Sequence, residues 1–113
     1  MSTSEHLFDA LVAEARRTGE AERGRFQASQ GPYYGFNGTY CYLVTERSLW
    51  QARSTTEQLV GGAPEIKHWP LHECSGTGSG KKVSLATPDG EHTLAFATGA
   101  LAKQAIATLH PGG

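Results

Sequence analysis

The sequence has few of the features that mark a secreted, membrane-spanning or metal-stabilised protein. Only two of its 113 residues are cysteines, Cys41 and Cys74, and they lie far apart in the chain. No apolar run approaches the roughly 20 residues that a membrane-spanning helix needs. The N-terminal stretch lacks the basic and apolar regions of a signal peptide. We therefore expect reduced thiols, a cytoplasmic location and no integral membrane association.

An excess of charge of either sign is also lacking. Ten Lys and Arg residues stand against eleven Asp and Glu residues, which gives a formal net charge of −1. Such a chain has no overall field that attracts nucleic acid or an anionic membrane, so we predict no nucleic-acid partner. The length fits one domain that can bury a core without disulfides or metal, and we expect no cofactor.

One glycine-rich stretch, ECSGTGSGKK from Glu73 to Lys82, resembles a phosphate-binding loop at first sight. In the pattern G-x-x-x-x-G-K-[ST], backbone N–H groups hold phosphates and the last hydroxyl binds Mg²⁺. Here Ser75 replaces the first glycine if Gly80 is the second, and Lys82 replaces the final Ser or Thr. The VSLAT segment that follows alternates like a strand, whereas the motif needs a helix there. We therefore interpret residues 76–82 as a flexible connection between strands.

Hydrophobic patterns predict a helix at each end of the chain and six or seven short strands between them. The first helix, Ser2 to Thr18, has capping-box spacing at Ser2 and Glu5 and ends at Gly19. Strands are predicted near residues 23–28, 39–44, 49–53, 65–74, 82–87 and 92–97, and a last helix at 98–109. In the second strand, Tyr42 and Val44 point to one side and Cys41 and Leu43 to the other.

Four segments carry a resemblance to a known family. TYCYLVTERSLWQA is followed by IKHWPLHEC, by the hairpin KKVSLATPDGEHTLAF and by the helix ALAKQAIATL. In this order they resemble the bacterial pleckstrin-homology-like domains, over about residues 23 to 110. The resemblance implies an α+β fold, a partly open antiparallel β-barrel of about seven strands that is capped by the C-terminal helix. We divide the chain into an N-terminal amphipathic helix, 1–19, which lies outside the shared pattern, and the barrel domain, 20–113.

Candidate binding residues lie in two loops. SQGPYYGFNG carries Tyr33, Tyr34 and Phe36, and large aromatic side chains at a loop tip serve as interfacial anchors or protein-binding hot spots. The alternative is that these rings fold back over the barrel mouth and complete the core. Many pleckstrin-homology domains bind inositol phosphates through basic residues at this loop. This loop has none, and Lys81 and Lys82 lie in another loop, so we expect peripheral lipid contact to be weak.

The histidines and cysteines do not form a motif with metal or catalytic spacing. His68, His72 and Cys74 share parity on a regular strand, with Trp69 and Leu71 on the core side. However, His68 and His72 would stand roughly 13 Å apart, which is too far to share a zinc ion. We expect His6 and His110 to be solvated and Cys41 to pack as a small apolar residue. We predict neither a metal site nor an enzyme.

The N-terminal helix carries an apolar stripe that needs a cover. The candidate interface residues are Leu7, Phe8, Leu11 and Val12. The stripe must cover a patch on the chain's own barrel or on a second molecule, and a homodimer is the commonest form of self-association.

These patterns favour a non-catalytic module that binds a protein or peptide. The partner would occupy the groove between the C-terminal helix and a sheet edge, which can accept an added strand. The alternative is a site for a small ligand or lipid headgroup at the barrel mouth, with Tyr33, Tyr34 and Phe36 as walls and Lys81 and Lys82 as polar contacts.

Overall fold

The computed structural model describes residues 3–30, 40–53 and 65–110. Within these ranges an α+β arrangement of two helices and seven strands is present, as predicted. The elements are α1 (Thr3–Arg17), β1 (Glu22–Gln30), β2 (Tyr40–Thr45), β3 (Ser48–Arg53), β4 (Glu65–Pro70), a 3-10 turn (Leu71–Glu73), β5 (Ser75–Ser79), β6 (Lys82–Thr87), β7 (Gly90–Ala95) and α2 (Gly99–Leu109).

The strands form one antiparallel sheet in the order β4-β3-β2-β1-β7-β6-β5. Strand β1 joins the two halves of the sheet, because its residues up to Ala28 pair with β2 whereas Ser29 and Gln30 pair with β7. The sheet therefore curls into a partly open barrel whose two edges are β4 and β5. This architecture is compatible with the pleckstrin-homology-like fold expected from the sequence.

Strand β2 is buried on both faces, which follows from the alternation of its side chains. Tyr42 and Val44 belong to the barrel interior, where Phe26 stacks on Tyr42 with ring centroids 4.9 Å apart. Cys41 and Leu43 belong to a second cluster on the outer face of the barrel. The predicted two-sided pattern of this strand is confirmed.

Helix α1 covers that outer face. Its buried side chains pack with those of β2 and β3 in a cluster that contains Leu7, Phe8, Leu11, Ala15, Cys41, Leu43, Trp50 and Ala52. Val12 is half-buried against it. The apolar stripe of α1 is therefore covered by the chain's own barrel, which is one of the two alternatives considered from the sequence. The candidate interface residues Leu7, Phe8 and Leu11 are thus at most 8% exposed and do not present a surface to a second molecule.

The prediction of one strand from Glu65 to Cys74 is wrong, because β4 ends at Pro70 and a 3-10 turn follows. A proline has no N–H to continue the ladder. The next N–H, from Leu71, donates to the carbonyl of Arg47 at 2.8 Å, and the N–H of Cys74 donates to the carbonyl of Leu71 at 3.0 Å. Because of this turn, His72 and Cys74 do not lie on one face of a regular strand, as the sequence predicted. His72 is exposed, whereas Cys74 faces the core.

The prediction of a flexible glycine-rich connection is also wrong for most of that segment. Ser75–Ser79 is strand β5 and pairs with β6, which leaves only Gly80 and Lys81 in the turn. Gly80 has a φ of +63°, a conformation that favours glycine. The segment after Lys82 is a strand and not a helix, so the backbone does not have the form of a phosphate-binding loop.

Candidate functional site

The backbone of β5 forms a sheet edge with two glycines facing outward. Ser79 and Lys82 flank the two-residue turn and form a hydrogen-bonded pair. From this pair onward, non-hydrogen-bonded and hydrogen-bonded pairs alternate along the strand. Thr77 and Ser75 therefore direct their N–H and C=O groups at β6, whereas Gly78 and Gly76 direct theirs away from the sheet. These outward-facing groups have no strand partner among the described residues, and they are of the kind that an added strand would use.

The contact of Gly76 with His110 supports this alternation. The N–H of Gly76 donates to Nε2 of His110 at 3.0 Å, so it points away from β6. His110 caps α2 and is half-buried, which corrects the expectation that its side chain is solvated. The imidazole of His110 therefore accepts the outward-facing N–H of Gly76. The next outward-facing N–H on the edge is that of Gly78.

A groove of about 500 Å³ runs between β5 and α2. Its walls come from Gly78, Ser79, Gly80, Gly99, Ala100, Ala102, Lys103 and Ile106. Glycines permit the close approach of the helix: a Cβ atom at Gly78 would overlap Cδ1 of Ile106, and one at Gly76 would lie 3.1 Å from Cδ1 of Leu109. The groove therefore combines a small-residue wall, an apolar side chain and exposed strand backbone.

The two edges of the barrel differ in chemistry. The β4 edge carries Glu65, Lys67 and His68 and ends at Pro70, and charged residues and proline are the usual protection of an edge strand. The β5 edge, SGTGS, contains no charged residue and no proline. Of the two, β5 is the edge that lacks this protection.

The candidate residues Lys81 and Lys82 lie at the turn between β5 and β6, and neither is among the residues that line the groove. They follow Gly80 in the turn, and the carbonyl of Lys81 accepts the N–H of Phe96 at 2.7 Å just before α2 begins. Lys103 lines the groove on the helix side. Of the three lysines, only Lys103 lines the groove. The aromatic candidates Tyr33, Tyr34 and Phe36 lie outside the described residues.

The barrel mouth holds a second, polar cavity of about 380 Å³. Tyr42 is buried there, and its hydroxyl accepts the side-chain N–H groups of Gln51 at 3.0 Å and Gln30 at 3.4 Å. The indole N–H of Trp69 donates to Asp89 at 2.8 Å. Neither Lys81 nor Lys82 is among the described residues that line it.

His68 and Cys74 have structural surroundings. His68 stacks on Trp50 with ring centroids 4.4 Å apart, and burial raises the pKa of Cys74 to about 11, which keeps its thiol protonated at neutral pH. Across the described residues there is no group of three His, Cys, Asp or Glu side chains that could hold a metal ion.

Comparison with protein-family models, with curated proteins and with solved structures found no significant match. None of the helices in the described ranges is long and apolar enough to span a membrane.

The β5 edge was missed at the sequence level because a glycine-rich polar segment is typical of a loop. One signal was available. Gly76 and Gly78 alternate with Ser75, Thr77 and Ser79, and this period of two places both glycines on the same face of a strand. Such a pattern is compatible with a strand that lies close beneath another element.

Proposed function

We propose that the chain is a non-catalytic module of the pleckstrin-homology-like class that binds an extended peptide segment of a partner protein. The segment joins the sheet as an eighth strand along β5 and lies in the groove beside α2. The observation that carries this proposal is the outward-facing backbone of Gly78, on an edge without charge or proline. Backbone hydrogen bonds give affinity in such complexes, and pockets for alternate side chains give specificity.

The walls of the groove define the chemistry of the peptide. Ala102 and Ile106 form an apolar floor that suits one aliphatic or aromatic side chain of the peptide. Lys103 in the wall favours an acidic residue in the peptide. We therefore propose a partner segment that combines an apolar anchor with an acidic residue, in extended conformation.

A matched pair of groove and control variants tests this proposal. A random peptide library displayed on phage is selected against the full chain, and the enriched peptides are measured by calorimetry against Ala100→Trp and Ala107→Trp. Both alanines are exposed on α2, but only Ala100 lines the groove. We expect Ala100→Trp to weaken binding by about tenfold or more, because the indole fills the groove, and Ala107→Trp to have no effect. If no peptide is enriched, or if both variants bind equally well, the proposal fails.

Backbone methylation of a selected peptide separates strand addition from other modes of docking. In an added strand, alternate peptide N–H groups donate to β5 and the others face away. Methylation at alternate positions should therefore abolish binding, and methylation at the positions between should be tolerated. A peptide that tolerates methylation at every position does not bind as a strand.

A second candidate function is suggested by the polar mouth. Gln30 and Gln51 line it, and each donates a side-chain N–H to the hydroxyl of Tyr42, which is fully buried beneath them. A small polar ligand would bind the amide groups of these two glutamines that Tyr42 leaves free. An NMR screen of small polar metabolites tests it, because a true mouth ligand should lose affinity in Gln30→Leu and keep it in Ala100→Trp.

A further inference from the structure

A third cavity, of about 790 Å³, lies at the opposite end of the barrel from the mouth. It is formed by the start of β1, the β2–β3 turn, the 3-10 turn that joins β4 to β5, and the end of α2. Arg23, Arg47, His72 and His110 line it, whereas Glu46 is the one carboxylate among its described lining residues. Two arginines against one glutamate give this wall a positive formal charge, whereas the chain as a whole has a formal charge of −1.

The two arginines of this cavity differ from those that are paired on the surface. Arg17, Arg25 and Arg53 each form an ion pair with a nearby glutamate. Among the described residues, Arg23 and Arg47 form no ion pair within 4 Å, and the guanidinium group of Arg47 donates only to the carbonyl of Thr18, at 3.5 Å. Their guanidinium groups thus keep donors that can bind an anion in a bidentate manner.

The remaining lining residues define the rest of the ligand. Because Nε2 of His110 accepts the N–H of Gly76, the ring hydrogen lies on Nδ1, which is a donor. Pro70, Leu71 and Leu109 supply an apolar wall. The cavity therefore combines two free guanidinium groups, imidazole groups and an apolar surface.

The geometry points to a binding site for a small phosphate monoester that carries an apolar group. Near neutral pH such a phosphate has a charge of about −1.5 to −2, which matches the two arginines better than a single carboxylate does. The phosphate binds between Arg23 and Arg47, and the apolar group lies against Leu71 and Leu109. This site is on a different part of the barrel from the peptide groove, so the two proposals can fail separately.

NMR titration of the full ¹⁵N-labelled chain at constant ionic strength tests the site with three probes. Phenyl phosphate should bind saturably and shift the amide signals of Arg47, Leu71 and His72. Inorganic phosphate, which lacks the apolar group, should bind more weakly at the same residues. Benzoate, which has the ring but a single charge, should bind about tenfold more weakly than phenyl phosphate.

Charge-removing variants show whether the phosphate is bound by this cavity. Arg23→Gln and Arg47→Gln alter exposed side chains, so we expect an unchanged melting temperature and a loss of phenyl phosphate affinity of about tenfold or more in each. The double variant Lys81→Gln/Lys82→Gln removes two charges elsewhere and should bind like the original chain. The site is refuted if phenyl phosphate gives no saturable shifts, if it binds no better than benzoate, or if the lysine variant loses as much affinity as the arginine variants.

Discussion

The carboxylate of Glu20 accepts a hydrogen bond from the hydroxyl of Thr45 at 2.5 Å. A second one comes from the hydroxyl of Thr18 at 2.7 Å. Glu20 follows the end of α1, and Thr45 is the fully buried last residue of β2. This pair therefore connects the helix that covers the barrel with the β2–β3 turn.

We predict that Thr45→Val destabilises the chain by about 1–3 kcal/mol. The valine keeps the shape of threonine but leaves the carboxylate and the N–H of Ser48, which also donates to this hydroxyl, without their partner. Urea unfolding at pH 7 measures the loss. Thr93→Val, on the exposed side of β7, is the matched control and should change stability by less than about 0.5 kcal/mol. Equal losses in the two variants would contradict the role of the pair.

The same pair predicts a dependence on acid. Burial raises the pKa of Glu20, but the hydrogen bonds from Thr45 and Thr18 lower it more in total, so the net shift is downward. A carboxylate with a lowered pKa contributes stability that is complete above its ordinary pKa and is lost as the pH falls through the folded-state value. As the pH falls below about 4.5, the free energy of unfolding of Glu20→Gln should therefore decrease less than that of the original chain. Urea unfolding at several pH values measures this difference. Parallel pH curves for the two proteins would contradict this prediction.

Tyr42 predicts a loss of stability in alkali. Burial is the main cause that raises its pKa to about 12, and the hydrogen bonds from Gln30 and Gln51 offset a part of this effect. The folded chain therefore keeps the phenol proton while the unfolded chain loses it, so stability is complete below about pH 10 and falls as the pH rises toward 12. Tyr42→Phe should remove this part of the decline, which chemical unfolding between pH 8 and 11 would show. If both proteins lose stability equally above pH 10, the phenol does not contribute.

The glycines beneath α2 should differ in their tolerance of a methyl group. At Gly76 a Cβ atom would lie 3.1 Å from Cδ1 of Leu109 and 3.3 Å from Cγ1 of Val83, and both of these side chains are buried. Gly76→Ala should therefore cost about 1–3 kcal/mol through overpacking. Gly78→Ala meets only the end of the half-buried Ile106, which can rotate away, so its cost should be smaller. Urea unfolding that ranks Gly78→Ala as the more damaging would contradict this packing.

The sequence was sufficient for much of this fold and insufficient for the site. Alternation in β2 and the apolar stripe of α1 are direct consequences of burial, so both were predictable from residue order. Strand β5 was not, because neither Gly76 nor Gly78 has a side chain that could show burial. The reason for glycine at these positions is the close contact with Ile106 and Leu109, which lie about 30 residues further along the chain.

The arrangement at α1 shows a similar limit. The stripe of Leu7, Phe8 and Leu11 demanded a cover, yet its chemistry was equally compatible with a second molecule or with the chain's own barrel. The deciding feature is the outer face of β2 and β3, where Leu43 and Trp50 are buried. We expect a chain that begins at Gly19 to expose this face and to associate or aggregate in light scattering, while the full chain does not. Identical behaviour of the two chains would contradict the covering role of α1.

Hydrogen exchange at the amide of Gly78 tests strand addition most directly. The Gly78 N–H faces away from β6, whereas the neighbouring Thr77 N–H faces β6 and serves as an internal control. In the free chain we expect Gly78 to exchange much faster than Thr77. With a saturating library-selected peptide, Gly78 should become about 100-fold slower or more, while Thr77 stays protected. Unchanged, fast exchange of Gly78 in a chain saturated with such a peptide would show that the peptide does not pair with β5.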